Sequence, residues 1–234
     1  HNITAKYCDD RNYNEKNNTG EFEVTKASYD IAVLPSNITY GETEIIAVAV
    51  PEGAAGTVRI TVGTYTDSKD IEEGSTEILF YIPKTESAAL LDVNDNYIVF
   101  ANYSGDSNFE SAVANAPFHV DPANTAITIH VSNITYGDDE ILNLTVVGVA
   151  NGEIPSGFVS IVLEGTGISI SKALDENAEA QFNLTGLAVG EYTVNASYVP
   201  TTPNYNGSDA KAGFNVTKAD VDESNRFISA VNIT

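Results

Sequence analysis

Apolar and polar residues alternate along most of this chain, in short segments that turn residues separate. Leu142-Asn143-Leu144-Thr145-Val146 and Val58-Arg59-Ile60-Thr61-Val62 place large apolar side chains at every second position. A period of two is typical of strands that have one buried and one exposed face in an antiparallel sheet. No segment convincingly shows the longer period of a helix. The pattern therefore predicts an all-β chain.

The alternating segments recur after 96 residues. Asn37-Ile38-Thr39-Tyr40-Gly41 returns as Asn133-Ile134-Thr135-Tyr136-Gly137, and 133 − 37 is 96. A spacing of this length corresponds to one small domain. About seven strands in a domain of this size is typical of an immunoglobulin-like sandwich. We therefore predict tandem immunoglobulin-like antiparallel β-sandwich domains in an extended array.

The repeat predicts two complete domains, residues 27–122 and 123–219, between two partial ones. Residues 1–26 correspond to the C-terminal strands of a preceding repeat, and residues 220–234 to the N-terminal strand of a following repeat. We interpret the chain as a part of a longer array, with strand exchange between chains as the alternative explanation of the partial repeats. The joints between domains are short and contain no Gly, which predicts limited bending.

Turn residues and alternation together predict the strands of the second full repeat. The loop from Gly148 to Ser156 is the only candidate recognition loop that the pattern offers. The seven predicted strands are Thr125–Val131, Ile141–Val147, Gly157–Leu163, Ile168–Leu174, Ala178–Leu184, Glu191–Tyr198 and Ala210–Val216.

Composition narrows the class of protein. The chain has 234 residues, a hydrophobic fraction of 42% and no apolar run long enough to span a bilayer, so we expect no membrane contact within it. The formal net charge of −22 argues against nucleic acid as a partner. Cations, basic surfaces and sugars remain possible partners. A high-salt habitat is an alternative explanation of the charge.

The single cysteine carries no disulfide within this chain. Cys8 lies beside Asp9 and Asp10, whose negative charges are expected to disfavour the thiolate and make the thiol less reactive. We therefore expect a loop thiol rather than a catalytic one.

Three motifs follow one another in each repeat. The Asn-Ile-Thr-Tyr-Gly opening is followed by Gly190-Glu191-Tyr192-Thr193-Val194-Asn195-Ala196-Ser197-Tyr198 or by the segment from Phe100 to Phe109, and then by a Phe-x-Val motif. Together they resemble the bacterial-type Ig-like repeats of adhesin-like surface proteins of methanogenic archaea. The resemblance covers essentially the whole chain, although residues 7–11 depart from the pattern. It implies secreted, cell-attached proteins that build stalks for contact with surfaces or other cells, and it implies no catalytic residues.

Asn-x-Ser/Thr sequons are the most frequent chemical motif of the chain. Alternation places several of these Asn residues on outward positions of strands, although Asn is a poor strand former. We therefore expect N-linked glycans and no other cofactor, with a merely polar outer face as the alternative. The eleven candidate sites are Asn2, Asn17, Asn37, Asn102, Asn133, Asn143, Asn183, Asn195, Asn206, Asn215 and Asn232.

The first full repeat has apolar residues at outward positions on both of its expected sheets. Alternation directs Leu79 and Tyr81 outward on one sheet, and Ile98 and Phe100 outward on the other. Exposed apolar pairs on both faces indicate contact. We predict that this repeat packs against a neighbouring chain, whereas the second carries sugar. The alternative is scattered surface residues that their own loops cover.

A metal site and an active site have little support. Asp92, Asn94 and Asp95 form a weak calcium candidate that resembles cadherin linkers, but the sequence places them inside a domain and away from its joints, where an Asx-rich turn is the simpler interpretation. His119 and His130 lack partners at metal-ligand spacing, and no nucleophile or phosphate-binding motif occurs. No enzymatic activity is expected.

These observations predict a non-enzymatic, extracellular structural protein of the cell surface. The expected role is a glycosylated stalk or filament of Ig-like repeats in an archaeal adhesin. The expected partners are neighbouring copies or domains of the same protein and components of the cell surface or extracellular matrix. The alternative is an adhesin module that binds carbohydrate or protein on another surface.

Overall fold

A computed structural model describes residues 1–82, 91–149 and 154–220. Every regular element in these ranges is a β-strand. None of the described elements is a helix with the length and apolarity needed to cross a membrane. The strands form one leading hairpin and two β-sandwiches. The predicted all-β fold is thus confirmed.

The chain begins with an antiparallel hairpin of β1 (Asn2–Tyr7) and β2 (Lys16–Glu21). Asp10 shapes its turn, because Oδ1 accepts hydrogen bonds from two backbone N–H groups of the turn and Oδ2 accepts one from the Tyr7 hydroxyl. Asp106, 96 residues later, accepts the corresponding bonds. The leading segment therefore keeps the turn of the repeat although its sequence around Cys8 differs.

The first sandwich packs a three-stranded sheet, in the order β3-β5-β8, against a five-stranded sheet, in the order β4-β10-β9-β6-β7. β5 is antiparallel to β3 and β8, and β6 is antiparallel to β7 and β9, whereas β4 runs parallel to β10. Its strands are β3 (Ala32–Leu34), β4 (Ile38–Thr39), β5 (Glu44–Ala49), β6 (Thr57–Val62), β7 (Tyr65–Asp70), β8 (Glu77–Ile82), β9 (Asn94–Tyr103) and β10 (Ala112–Asp121). The side chains buried most fully between the sheets include Ile46, Val48, Val58, Ile60, Phe80 and Val99.

The second sandwich repeats this topology, with sheets β11-β13-β16 and β12-β18-β17-β14-β15. Its strands are β11 (Thr125–His130), β12 (Ile134–Thr135), β13 (Glu140–Gly148), β14 (Gly157–Leu163), β15 (Ile168–Ala173), β16 (Glu179–Leu184), β17 (Gly190–Pro200) and β18 (Ser208–Thr217). The seven predicted strands agree with these to within two residues at each end. The two-residue strand β12 was not predicted. The core contains Leu142, Leu144, Val159, Ile161, Phe182 and Val194.

The chain forms two compact units, and the limits of these units differ from those of the sandwiches. The first unit contains His1–Ser36, Glu44–Ile82 and Asn96–Phe118. The second contains the described residues of Asn37–Thr43, Pro83–Asp95 and His119–Thr234. The predicted boundaries at 26, 122 and 219 follow the sequence repeat and remain predictions.

Tyrosines close the core at one end of each sandwich. Tyr103 and Tyr198 are buried, and their hydroxyls donate hydrogen bonds to the carbonyl oxygens of Ala55 and Ser156 at 2.9 and 2.8 Å. A buried phenol needs such a partner because an unpaired hydroxyl is costly inside a protein.

Candidate interaction surfaces

The outer face of the sheet β3-β5-β8 is almost entirely apolar. Cross-strand pairing arranges its side chains in three rows, which are Ala32, Ala49 and Glu77, then Leu34, Ala47 and Leu79, then Ile45 and Tyr81. The exposed fractions of Leu34, Ile45, Leu79 and Tyr81 are 56%, 44%, 38% and 47%. We name the eight residues of the three rows the Leu79 face. Sequence reasoning found Leu79 and Tyr81 but missed the contributions of β3 and β5.

Side chains from β7 cover the free edge of this sheet at β8. The Lys69 ammonium donates a hydrogen bond to the Leu79 carbonyl oxygen at 2.7 Å, and the Tyr65 hydroxyl donates one to the Tyr81 carbonyl oxygen at 3.3 Å. Lys69 also lies over the rings of Phe80 and Tyr81. A partner strand at this edge would have to displace these bonds, so the edge is protected while the face stays open.

The corresponding face of the second sandwich is mostly polar over the same three rows. Its rows are Thr128, Thr145 and Glu179, then His130, Asn143 and Gln181, then Ile141 and Asn183. Two sequon asparagines thus occupy the places of Ala47 and Tyr81. Since the strand pattern is the same in both sandwiches, the fold does not require an apolar outer face, and the Leu79 face needs a separate explanation.

A second exposed apolar group lies on the five-stranded sheet of the first sandwich. Ile98 and Phe100 on β9 are 37% and 55% exposed, and Val113 on β10 is exposed as well. Phe100 and Val113 line a shallow depression. Polar Arg59 is also part of its lining. All four residues predicted to make inter-chain contact therefore face outward, and the contact itself remains a prediction.

The sequon asparagines lie almost entirely at the surface. Nine of the ten within the described residues are exposed, and Asn195 is half-buried. Asn232 lies outside the described residues. The nine exposed ones are Asn2, Asn17, Asn37, Asn102, Asn133, Asn143, Asn183, Asn206 and Asn215.

Hydrogen bonds orient several of the sequon amides. Oδ1 of Asn37 accepts the backbone N–H of His119 at 3.1 Å, and Oδ1 of Asn133 accepts that of Asn215 at 2.8 Å. These bonds hold the short parallel pairs β4–β10 and β12–β18 in place. Because a backbone N–H can only donate, it fixes the amide orientation and leaves Nδ2 for other chemistry.

Asn143 and Asn195 differ in how their amides are used. Oδ1 of Asn143 accepts a hydrogen bond from Gln181 Nε2 at 3.0 Å on the exposed face. Asn195 instead donates Nδ2 to Oε1 of Glu164 at 2.7 Å, while its Oδ1 is buried. Lys211 pairs with the same carboxylate at 3.3 Å. Asn195 is thus part of a structural network, unlike the prediction of an outward glycan site.

Two buried carboxyl groups recur at the same place in each sandwich. Oε1 of Glu44 accepts the N–H of Ser36, and Oε1 of Glu140 accepts that of Ser132, both at 2.8 Å. Burial raises the pKa of Glu44 to about 7, although backbone hydrogen bonds lower it in part. The sequence carried a signal for this, because Glu44 has the same strand parity as the buried Ile46.

The weak calcium candidate lies in a different environment from the predicted one. Oδ1 of Asp92 accepts a hydrogen bond from Asn204 Nδ2 at 2.9 Å, and Oδ1 of Asn204 accepts the Val93 N–H at 3.0 Å. The carbonyl oxygen of Asn204 accepts the N–H of Ala123, a joint residue. The prediction that this motif lies away from the joints is therefore wrong, because contacts distant in sequence bring it there. In the described part of the chain, no three His, Cys, Asp or Glu side chains converge as metal ligands.

The remaining candidates for chemistry are dispersed over the surface. Cys8 is exposed. His119 lies 3.5 Å from the carboxylate of Asp121, and His130 belongs to the polar face of the second sandwich. The candidate recognition loop at 148–156 lies partly outside the described residues.

No protein-family model matches the chain, and no curated protein matches it. Among solved structures it is similar to invasin, described as a bacterial integrin-binding protein, with 14% identity and a TM-score of 0.50 over 84% of this chain and 40% of that one. It is also similar to a segment of two fibronectin type III domains from chicken tenascin, with 13% identity and a TM-score of 0.40 over 77% of this chain and 97% of that segment. The D0-D1 domain of intimin matches with 16% identity and a TM-score of 0.31 over 80% and 97% of the two chains.

The chain is built from immunoglobulin-like sandwiches. At this level of identity, the similarity to invasin shows the fold alone. The chain spans less than half of invasin. Function must therefore be argued from the surfaces described above.

Proposed function

We propose that this chain is a non-enzymatic, extracellular structural protein that forms part of a glycosylated stalk or filament of an archaeal cell-surface adhesin. The observation that carries this proposal is the exposure of nine of the ten described sequon asparagines. Asn disfavours strands, so its use at outward positions such as Asn143 and Asn183 needs a reason other than folding. N-linked glycans supply one, because they shield strands from proteases and from unwanted pairing.

A stalk needs stable, repeated units rather than an active site. Each sandwich has its own apolar core, and the 96-residue repeat allows length to be set by the number of repeats. The net charge of −22 keeps such a surface soluble and disfavours nucleic acid as a partner. The proposed partners are neighbouring copies of the protein and components of the cell surface or extracellular matrix.

The second candidate function is that of a binding module for carbohydrate or protein on another surface. The Leu79 face favours it, since one sandwich exposes apolar side chains where the other carries mostly polar ones. In this case the first sandwich is the recognition element and the second is a spacer.

Immunogold electron microscopy of intact source cells tests the stalk role, with antibodies raised against this chain. Label on rods or threads outside unpermeabilised cells is the expected result. Label that appears only after permeabilisation contradicts the proposal. Glycopeptide mass spectrometry of the native protein tests the modification separately. Unmodified peptides at both Asn143 and Asn183 would contradict the proposed glycosylation but not the proposed stalk.

A further inference from the structure

We propose that the Leu79 face is the contact surface for a second copy of this chain, which packs the same face against it about a two-fold axis. This inference goes beyond the proposed function and names one partner within it. It rests on the side-chain rows of one sheet, on its protected edge and on the distribution of charge.

Charge permits two copies to meet over this face, and its apolar side chains distinguish it from the corresponding face of the second sandwich, which also has a single carboxylate, Glu179. The chain carries a net charge of −22, so two copies repel each other over most of their surface. Seven of the eight residues of the Leu79 face are uncharged, and its one carboxylate, Glu77, lies at the end of an outer row. Electrostatic repulsion between two acidic copies is therefore low where these faces meet. A basic partner would gain little from this face, because it has almost no carboxylates.

The rows are self-complementary. A two-fold axis along the middle row lets Leu34, Ala47 and Leu79 each face the same residue of the second copy. It also places Ile45 opposite Ala49, which is a large side chain against a small one. Tyr81 then lies opposite Glu77, where its hydroxyl can donate a hydrogen bond to the carboxylate. Both pairings occur twice, as an isologous interface requires.

The protected edge determines how the copies associate. Lys69 and Tyr65 occupy carbonyl oxygens of β8 that an added strand would need. Edge-to-edge pairing at β8 is thereby disfavoured, and the other edge, β3, offers only three residues, so face-to-face packing with sheets about 10 Å apart is favoured. Two strands of six residues and one of three cover only about 250 Å², well under the roughly 800 Å² per partner of a standard interface. The pairing is therefore weak, and it gains strength when several copies lie side by side.

Analytical ultracentrifugation of the full 234-residue chain, at concentrations up to about 1 mM, tests the pairing. The expected result is a reversible dimer whose Kd rises about 100-fold or more in the variant Leu79→Asp, since the symmetric contact loses two central side chains. The matched control is Gln181→Asp on the second sandwich, which should leave the dimer unchanged. A chain that stays monomeric at 1 mM overturns the proposal, as does a dimer that Leu79→Asp leaves intact.

A second variant distinguishes loss of the contact from misfolding, because it introduces residues that the second sandwich already tolerates. The double variant Leu79→Gln and Tyr81→Asn gives the first sandwich the residues that the second sandwich already carries at Gln181 and Asn183. We expect it to keep the melting temperature and lose the dimer. A dimer that persists in this folded variant contradicts the proposed face.

Crosslinking tests the two-fold geometry. In a Cys8→Ser background, Leu79→Cys should crosslink to itself with a bismaleimide that spans about 10 Å, whereas Gln181→Cys should not. A dimer that instead crosslinks through Phe100→Cys would assign the contact to the other sheet. If the chain is monomeric, the pairing proposal fails, but the stalk role does not, because immunogold labelling of cells tests that role separately.

Discussion

The hydroxyl of Tyr103 donates a hydrogen bond to Oδ2 of Asp106 at 3.0 Å. The same oxygen accepts the N–H of Ala55, and Oδ1 accepts the N–H groups of Asn108 and Phe109. These bonds, chiefly the one from Ala55, lower the pKa of Asp106 to about 2. Burial, aided by the neighbouring carboxylate, raises the pKa of Tyr103 to about 12. One carboxylate thus ties the turn after β9 to the loop before β6.

Removal of the Tyr103 hydroxyl should destabilise the chain more than removal of its counterpart. Tyr103→Phe removes the single hydroxyl hydrogen that the Asp106 carboxylate and the Ala55 carbonyl share, and we expect a loss of about 2 kcal/mol in the free energy of unfolding. Tyr198→Phe removes a bond to the Ser156 carbonyl alone and should cost about 1 kcal/mol. Urea denaturation measures both. Equal losses in the two variants would show that Asp106 adds nothing to the bond.

Asp106 should make the chain less stable in acid. Its folded pKa lies below the value of a free Asp, so the stability it contributes is present above about pH 4 and is lost as pH falls towards 2. Melting temperatures measured between pH 2 and pH 5 should fall less steeply in Asp106→Asn than in the wild type. Parallel curves would contradict the assigned pKa.

Glu44 should have the opposite effect on the pH dependence of stability. Its folded pKa of about 7 lies above the ordinary value, so its contribution is fully present below about pH 4.5 and is lost as pH rises through 7. Glu44→Gln resembles the protonated acid and can still accept the Ser36 N–H. We expect the variant to match the wild type at pH 4 and to exceed it by about 2 kcal/mol at pH 8. A variant less stable than the wild type at pH 8 would refute this.

Alternation within single segments was sufficient to predict the strands of the second sandwich. It missed β12, because two residues such as Ile134 and Thr135 show no period and are fixed by their pairing with β18. The repeated Asn133 was interpreted as a sequon, whereas the structure adds a bond from its Oδ1 to a distant backbone N–H. Both features depend on contacts about 80 residues apart, which a local pattern cannot carry.

The surfaces were predictable only in part, for the same reason. Leu79 and Tyr81 face outward by the parity of their own strand. Their union with Leu34 and Ile45 into one face depends on the register between three strands. The parity of Glu44 pointed inward, but only the structure shows that a loop N–H donates a hydrogen bond to Oε1 of its carboxylate, while Oε2 is buried.

Glycan occupancy should follow the hydrogen bonds of the side-chain amides. The glycan bond forms at Nδ2, and Asn195 uses this atom to bind Glu164 while its Oδ1 is buried. Asn143 has its Oδ1 bound and lies on an exposed face. In native protein we expect Asn143 to carry a glycan and Asn195 to be unmodified, as quantified by glycopeptide mass spectrometry. Full occupancy at Asn195 would mean that its network does not form in the native protein.

The lysines at the sheet edges should protect the sandwiches from opening and association. Lys69 donates to the Leu79 carbonyl at 2.7 Å, and Lys172 donates to the Gln181 carbonyl at 2.6 Å. Each also lies over a core phenylalanine ring, which makes the contact partly apolar. Lys69→Met and Lys172→Met keep the stem and remove the donor, so each should cost about 1 kcal/mol in urea denaturation.

These variants should also aggregate faster, as followed by light scattering at 37 °C, because unpaired carbonyl groups at an edge invite another strand. Lys211→Met is the matched control, since Lys211 pairs with Glu164 at the exposed surface and such pairs contribute little. If the control lost as much stability as Lys69→Met, the effect would come from the charge of the chain rather than from the edge. If Lys69→Met neither unfolded earlier nor aggregated faster, the edge of β8 would be protected by its short length alone.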